Sequence, residues 1–314
     1  MSGSSEALSG NSEAEKHALG YAACAAAACL WGTGFYFGKI ALEELVVGHM
    51  VFYRILFGCV GLLPFAIRQA PLFNRREWQV LLGSALLGVP GQFIIQFYGL
   101  SMTTVSHAAL MVGAGPVMLA AGATLFARER LDRMSWLALI GSTAGVSLVV
   151  LGGQSAAHGQ GPSIEGDLLV LLSLVAATGW ILANKQLMMR HSPVVVTSYG
   201  LLCGFGMLAV AVLVKDGLPP VRGISPKVWW ALAASGLLCT ASTTLLWNWG
   251  LHRVPASRAG VFLNIEPVLG SLLGVKLLGD RLGPWSWAGA VMLIAAAATV
   301  TTRPHAHVPE VILE

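Results

Sequence analysis

The chain has 314 residues, of which 55% are hydrophobic and only 11% are charged. Soluble domains carry about 25% charged residues, so this chain has too few to cover a surface that faces water. The composition excludes a soluble enzyme or a nucleic-acid-binding domain and indicates an integral membrane protein in contact with the lipid bilayer. The net charge of +4 comes from short segments between apolar runs, where it carries information about topology.

Ten apolar runs follow one another along the chain, and each holds about 18–24 residues, enough to cross ~30 Å of hydrocarbon as a helix. Lipid offers no partners for backbone hydrogen bonds, so a spanning segment is a helix or a strand of a closed barrel. Barrel strands need only about ten alternating residues, so these unbroken runs favour helices. The sequence therefore predicts an all-α membrane protein with ten transmembrane helices, at 18–38, 46–67, 78–98, 104–127, 134–151, 168–187, 194–214, 228–249, 256–278 and 285–301.

Lys and Arg residues between the runs predict the orientation, because cytoplasmic segments carry more of them. With the N-terminus inside, twelve of the 19 lie inside, six lie outside, and Arg54 lies within a helix. Both termini are therefore predicted to be cytoplasmic. Residues 1–17 are rich in Ser, Gly and Glu and lack the features of a signal peptide, so they are predicted to be a disordered tail, with a second tail at 303–314. The compact loops favour a bacterial inner membrane.

The two halves of the chain match in one ungapped register, at an offset of 151 residues. An odd number of five helices in each half makes the second half enter the bilayer from the opposite side, which gives the inverted repeat typical of secondary transporters. The predicted repeats are residues 18–152 and 167–302, joined by an outside linker at 153–166. The matching segments include Tyr98–Gly99–Leu100 with Trp249–Gly250–Leu251, Gly115–Pro116–Val117 with Glu266–Pro267–Val268, and Glu129–Arg130–Leu131 with Asp280–Arg281–Leu282.

Catalytic and metal-binding motifs are missing from the sequence. The five cysteines lie inside apolar runs and lack the spacing of metal ligands. The sequence has no His-Glu-x-x-His, no Gly-x-Ser-x-Gly and no phosphate-binding loop. We therefore expect neither an enzyme nor a bound metal or cofactor.

The repeated motifs resemble those of a known superfamily. They are Trp31–Gly32, Lys39, Arg54 and Pro116 followed by Arg128–Glu129–Arg130–Leu131 in the first half, and Glu266–Pro267–Val268 followed by Gly279–Asp280–Arg281–Leu282 in the second. From 18 to 301 the chain resembles EamA-type ten-helix members of the drug/metabolite transporter superfamily, with Asp280 where that family usually has Glu. It is also similar to YddG-type amino-acid exporters. The resemblance implies a central cavity walled by the third, fourth, eighth and ninth helices, with help from the first and sixth.

Polar and aromatic side chains inside the predicted helices are candidates for the wall of that cavity. Gln92 and Gln96 share one face of the third helix, and the repeat places Thr243 and Trp247 on the matching face of the eighth. The amides can bond the amino or carboxylate group of a solute, or they can serve as hydrogen-bonded contacts between helices. Substrate contacts are expected from Trp31, Tyr36, Gln92, Gln96, Met111, Trp180, Trp247 and Asn248.

Four ionisable residues are candidates for gating or coupling. Glu266 lies near the middle of the ninth predicted helix, directly before Pro267. Its carboxylate either accepts hydrogen bonds from backbone groups beside the proline bend or binds protons or substrate. Arg54 is either a structural anchor or a partner of Glu266. His107 and its repeat counterpart Arg258 are expected at opposite ends of the cavity. There they either line gates, with the histidine taking up a coupling proton, or are interfacial residues whose hydrogen bonds are satisfied.

These features predict a secondary transporter that works by alternating access. A carrier of phosphate-bearing cargo would show several Lys or Arg residues at the midplane, and this chain shows only Arg54. We therefore expect export of small zwitterionic or weakly polar metabolites, above all amino acids, including aromatic and other apolar ones. The alternatives are a multidrug or other metabolite exporter of the same superfamily and, more remotely, an intramembrane enzyme. Proton coupling is a hypothesis, and the oligomeric state is left open.

Overall fold

The computed structural model describes residues 3–127, 133–151, 162–254 and 260–301. The first half of the described chain contains α1 Gly3–Ala41, α2 Val47–Ala66, α3 Arg75–Leu86, a first π-helical segment Leu87–Gly91, α4 Gln92–Met102, α5 Val105–Val112, α6 Gly115–Ala127 and α7 Arg133–Leu151. The second half contains α8 Ile164–Met188, α9 Pro193–Lys215, α10 Pro226–Gly236, a second π-helical segment Leu237–Ser242, α11 Thr243–Leu251, a 3-10 turn Gly260–Asn264, α12 Ile265–Leu277 and α13 Pro284–Thr301.

Most of the predicted spans coincide with long apolar helices. Within the described ranges, six stretches are long and apolar enough to cross a membrane: His17–Ala41, Val47–Ala66, Arg75–Met102, Ile164–Met188, Pro193–Lys215 and Pro226–Leu251. Shorter apolar helices lie at the predicted fourth, fifth and tenth spans, at Val105–Leu119, Ile140–Val149 and Pro284–Ala296. The prediction of an all-α membrane protein is therefore confirmed.

The first helix begins earlier than the composition predicts. It starts at Gly3, so residues 3–17 continue α1 instead of forming a disordered tail. Three Glu, two Ala and one Leu in this stretch favour helix, and no proline interrupts it. Most of the predicted linker and all of the second predicted tail lie outside the described residues.

Two π-helical segments widen the third and eighth spans at matching places in the repeat. Leu87–Gly91 and Leu237–Ser242 lie at nearly the same 151-residue offset as the sequence matches. In the first segment, Pro90 has no N–H to donate to the carbonyl four residues earlier, so the regular ladder is interrupted. In each span, the side chains after the π-helical segment are therefore rotated about the helix axis relative to those before it.

Hydroxyl groups take the place of proline in the second π segment. Thr240 Oγ1 donates to the carbonyl oxygen of Ser235 at 3.1 Å, and Ser242 Oγ donates to that of Leu237 at 2.9 Å. Side-chain donors of this kind compete with the backbone ladder and bend or widen helices in lipid. The same local shape thus arises from two different sequences.

The two halves of the chain pack in an interlocked manner. α1 packs against α10, α11 and α12, whereas α8 packs against α3, α4 and α5. Equivalent glycines make the close contacts: a Cβ on Gly99 would lie 2.6 Å from the carbonyl oxygen of Gly166, and one on Gly250 would lie 2.7 Å from that of Gly20. Small residues at such crossings let helices approach closely in lipid. Each half therefore depends on a helix supplied by the other.

The crossing of α7 and α13 is another close contact between the halves. A Cβ on Gly145 would lie 2.9 Å from the carbonyl oxygen of Gly289, and a Cβ on Gly289 would lie 2.5 Å from that of Gly145. Leu293 packs beside the same point. Because backbone faces backbone here, a larger residue has no flexible neighbour to displace.

We expect Gly145→Leu to destabilise the purified protein, because overpacking a tight contact costs about 1–3 kcal/mol. The matched control is Gly206→Leu in α9, since a Cβ at Gly206 meets nothing within 4 Å. Melting curves in detergent should show a lower midpoint for the Gly145 variant and an unchanged or slightly higher midpoint for the control. Equal midpoints would contradict the assigned α7–α13 contact.

Candidate functional site

A cavity of about 120 Å³ lies between the helices of both halves. Its size is comparable to that of a cavity able to hold one benzene molecule, ~150 Å³. α2 and α9 contribute to its wall together with the spans that the resemblance implies. Most of the wall is apolar or aromatic; its polar lining residues other than tryptophan are Arg54, Gln92, Gln96, Thr178, Asn184, Thr197, Thr240, Thr244 and Glu266.

Arg54 brings a charged group to this wall from α2, although its side chain is only 3% exposed. Its Nε donates to Thr240 Oγ1 at 2.9 Å, and one terminal nitrogen donates to the carbonyl oxygen of Cys239 at 3.2 Å. Both acceptors belong to the second π segment. The widened helix therefore supplies the two oxygens that hold the guanidinium.

Aromatic rings cover the guanidinium of Arg54. Its central carbon lies 4.9 Å from the ring centre of Phe93 and 5.0 Å from that of Phe97. Cation–π contacts of this kind contribute roughly 0.5–2 kcal/mol each. The remaining nitrogen, Nη1, has no hydrogen-bond partner among the described residues. One donor of this buried charge is therefore unused by the protein.

Glu266 brings a carboxyl group to the same wall. It lies in the first turn of α12, directly after the 3-10 turn, and not near the middle of a helix as the sequence predicts. Pro267 explains the difference, because proline is tolerated in a first turn, where its missing N–H interrupts no bond. The positive end of the helix dipole also stabilises a carboxylate at this position.

The two charges face the same cavity without touching. In the described part of the chain no direct ion pair joins Arg54 and Glu266, although both residues line the cavity. The hypothesis that the two residues pair is therefore not realised as a contact. Arg54 is instead anchored by the second π segment, and Glu266 is left half-buried against the cavity.

Tryptophans and amides form much of the remaining wall. The rings of Trp31 and Trp247 lie 5.3 Å apart, and Trp247 Nε1 has no hydrogen-bond partner within the described ranges. Trp180 lies directly over Gly88, where any side chain would overlap the indole. Of the eight predicted substrate contacts, the structure places five on the cavity wall: Trp31, Gln92, Gln96, Trp180 and Trp247.

Comparison with known proteins places this arrangement in a family. The model of the EamA-like transporter family matches residues 18–151 and 164–302. The chain belongs to the EamA-like transporter family. An uncharacterized transporter of Archaeoglobus fulgidus is similar, with 23% identity over 88% of this chain and 95% of its own length. The uncharacterized transporter YetK of Bacillus subtilis is 24% identical over 83% of this chain and 80% of its own length.

A solved crystal structure shares the fold of this family member. It aligns with a TM-score of 0.64 and covers 92% of this chain and 98% of the other. The sequence identity is 18%, so the likeness concerns the fold alone. The chain is thus a transporter-family protein with an EamA-type membrane fold.

Three predicted substrate contacts of this transporter lie away from the cavity wall. Met111 is fully buried in the core, and Tyr36 packs against Phe37 with ring centres 5.5 Å apart. Asn248 is also buried, and its Nδ2 donates to Thr197 Oγ1 at 2.6 Å. Asn248 therefore orients a hydroxyl that reaches the cavity instead of lining the cavity itself.

Of the gating candidates within the described residues, His107 is not on the wall either. His107 is buried, with its Nδ1 2.9 Å from Asp167 Oδ2. Arg258 lies outside the described residues. Asn184 lines the cavity without being among the predicted contacts, and it accepts a hydrogen bond from Ser84 Oγ at 2.7 Å. The sequence was sufficient to propose Asn184 as a lining residue, because an amide inside a predicted span generally faces the protein interior.

The bond from Arg54 to Thr240 gives a stability prediction. Thr240→Val keeps the shape of the side chain but leaves Nε buried without an acceptor, which costs about 1–3 kcal/mol. Ser242→Ala is the matched control, because it removes an equivalent hydroxyl bond within the π segment without touching Arg54. Melting curves should show a clearly larger loss for the Thr240 variant. Equal losses would contradict the role assigned to Thr240.

Proposed function

We propose that the protein is a secondary transporter that exports small zwitterionic or weakly polar metabolites, above all amino acids, across a bacterial inner membrane. It works by alternating access, with both termini in the cytoplasm. One observation carries the proposal: Arg54, which has an unused donor, and Glu266, which has no direct partner among the described residues, line one aromatic cavity. Membership of a transporter family supports transport over catalysis.

A zwitterion fits this pair of charges for an energetic reason. A charge taken out of water is costly unless another charge or several hydrogen bonds compensate it. An amino acid carries a carboxylate for Arg54 and an ammonium group for Glu266, so one bound molecule compensates both charges. The amides of Gln92 and Gln96 add neutral donors and acceptors, and the tryptophan rings accommodate an apolar side chain.

Phosphate-bearing cargo fits the wall less well. Arg54 is the sole Lys or Arg among the described residues that line the cavity. A sugar nucleotide or a phosphate ester carries two or more negative charges, and Glu266 would repel it. The charge balance of the wall therefore favours a solute without net charge.

Export of cationic drugs is the second candidate, and a separate observation favours it. Trp31, Trp180 and Trp247 line the same cavity as Glu266. Aromatic faces and a carboxylate together attract organic cations. With a cationic drug as substrate the unused donor of Arg54 has no role, so we rank cationic drugs below zwitterions as the expected substrate.

Uptake by purified protein in liposomes distinguishes these candidates. The panel consists of labelled amino acids, the corresponding amines without a carboxylate, the corresponding acids without an ammonium group, a nucleotide sugar and a cationic dye. Arg54→Gln should raise the KM for amino acids by roughly 10–100-fold, because a hydrogen bond to a charged group is worth about 1.5–3 kcal/mol. The same variant should weaken uptake of the amines much less than uptake of the amino acids.

Glu266→Gln should show the complementary pattern, with weaker uptake of amino acids and amines and unchanged uptake of the acids. Arg222→Gln and Glu43→Gln are matched controls, since both residues are exposed and lie outside the cavity wall. Saturable uptake of the nucleotide sugar alone would overturn the proposed cargo. Uptake of the dye alone, sensitive only to Glu266→Gln, would establish the second candidate instead.

A further inference from the structure

A buried histidine–aspartate pair lies beside the cavity. His107 Nδ1 and Asp167 Oδ2 are 2.9 Å apart, and both side chains are 1% exposed. Thr103 Oγ1 donates to the other carboxylate oxygen, Oδ1, at 2.6 Å. His107 lies at the start of α5 and Asp167 at the start of α8. The pair therefore ties two spans together at one end of the bundle.

The charged groups that face this pair have partners of their own. From α1, Lys39 Nζ donates to the carbonyl oxygens of Leu100 at 2.9 Å and Thr103 at 2.8 Å. From the segment before α13, Asp280 Oδ2 accepts the N–H of Ser106 at 2.8 Å. Both charges are thus occupied by backbone groups, and neither forms a hydrogen bond or an ion pair with the imidazole in the described ranges.

The other ionisable groups on the surrounding elements point elsewhere. Glu165 of α8, Lys276 of α12 and Arg281 before α13 are exposed. On α4, the hydroxyl of Tyr98 accepts a hydrogen bond from Lys215 Nζ at 2.9 Å. In the described part of α7, the sole charged residue is Arg133 at the opposite end of the helix. Protonation at this place therefore concerns His107 and Asp167.

The pair lies just beyond one end of the cavity. Val112 and Leu174 line the cavity from α5 and α8, and neither His107 nor Asp167 does. At 1.5 Å per residue, the pair lies about 8–10 Å farther along both helices. The charge count of the sequence predicts that this end faces the outside. The pair therefore joins α5 and α8 between the cavity and that side.

Histidine makes such a contact sensitive to pH. It is the side chain whose charge ordinarily changes between pH 5 and 8. His107 Nε2 has no hydrogen-bond partner among the described residues, so a proton added there would break no existing hydrogen bond. A charged imidazole then donates to a carboxylate, and such a charge-assisted bond is roughly twice as strong as a neutral one.

We infer that His107 and Asp167 form a proton-sensitive latch that closes the outer end of the cavity and tightens when His107 is protonated. α5 and α8 have to separate at this point for the outer end to open. The latch therefore sets how readily the cavity opens to that side. The inference rests on the proposed transport function, because it assigns the regulation of the same cavity.

Exchange of labelled for unlabelled amino acid across liposomes, with equal pH on both sides, tests the latch. Exchange by the wild type should slow by about fivefold between pH 8 and pH 5.5, as expected from the extra strength of a charge-assisted bond. His107→Asn retains an N–H donor for Asp167 but cannot be protonated in this range, so its exchange should change much less. His191→Asn, at the other end of α8, is the matched control and should keep the wild-type response.

A second measurement needs no solute and separates failure of the latch from failure of the proposed function. Hydrogen–deuterium exchange within α5 is compared between the wild type and His107→Asn at both pH values, so that the intrinsic pH effect cancels. The wild type should be the more protected of the two at pH 5.5, and the difference should shrink at pH 8. An identical pH response of the two proteins in this measurement would overturn the latch, whatever the protein transports.

Discussion

The buried guanidinium of Arg54 is the constraint on which the centre of the bundle depends. A cation held away from water requires acceptors, and a regular helix has none to offer because its carbonyls are already bonded. The second π segment provides them by turning the Cys239 carbonyl and the Thr240 hydroxyl toward Arg54. The irregular helix and the buried charge therefore explain each other, and the cavity lies where both are found.

The internal repeat gives both halves of the chain the same arrangement of helices, but the two halves differ at the cavity. In the first copy Gly88 leaves room for the indole of Trp180, whereas the matching position in the second copy is Cys239, which packs against Gly34. The first π segment thus brings an aromatic wall to the cavity, and the second brings the groups that hold Arg54. Under the proposed function, this asymmetry lets one end of the solute meet a charge while another part meets apolar rings.

The sequence was sufficient for the fold and for much of the cavity wall. Run lengths and composition predict the spans, because lipid imposes both. Gln92, Gln96 and Trp180 were predictable as lining residues, since polar and deep aromatic side chains inside spans face the interior. Asn248 shows the limit of this reasoning: it is adjacent to Trp247, yet a rotation of about 100° between neighbours turns it toward α9.

Long-range partners could not be predicted in this way. The bond between His107 and Asp167 joins residues 60 positions apart, and the bond between Arg54 and Thr240 joins residues 186 apart. Their meeting depends on how whole helices cross and on the phase change within the π segment. Asp167 in particular lies at the start of a helix, where a carboxylate is ordinary and gives no sign of a distant partner.

Equilibrium binding to the purified wild type in detergent tests the central claim most directly. Four ligands share one side chain: leucine, N-acetyl-leucine, leucine methyl ester and N-acetyl-leucine methyl ester. If Arg54 and Glu266 hold opposite ends of a zwitterion, leucine should bind tightest, each singly blocked form roughly 10–100-fold more weakly, and the doubly blocked form weakest. Equal affinity for leucine and the doubly blocked ligand would show that the two charges do not recognise the solute.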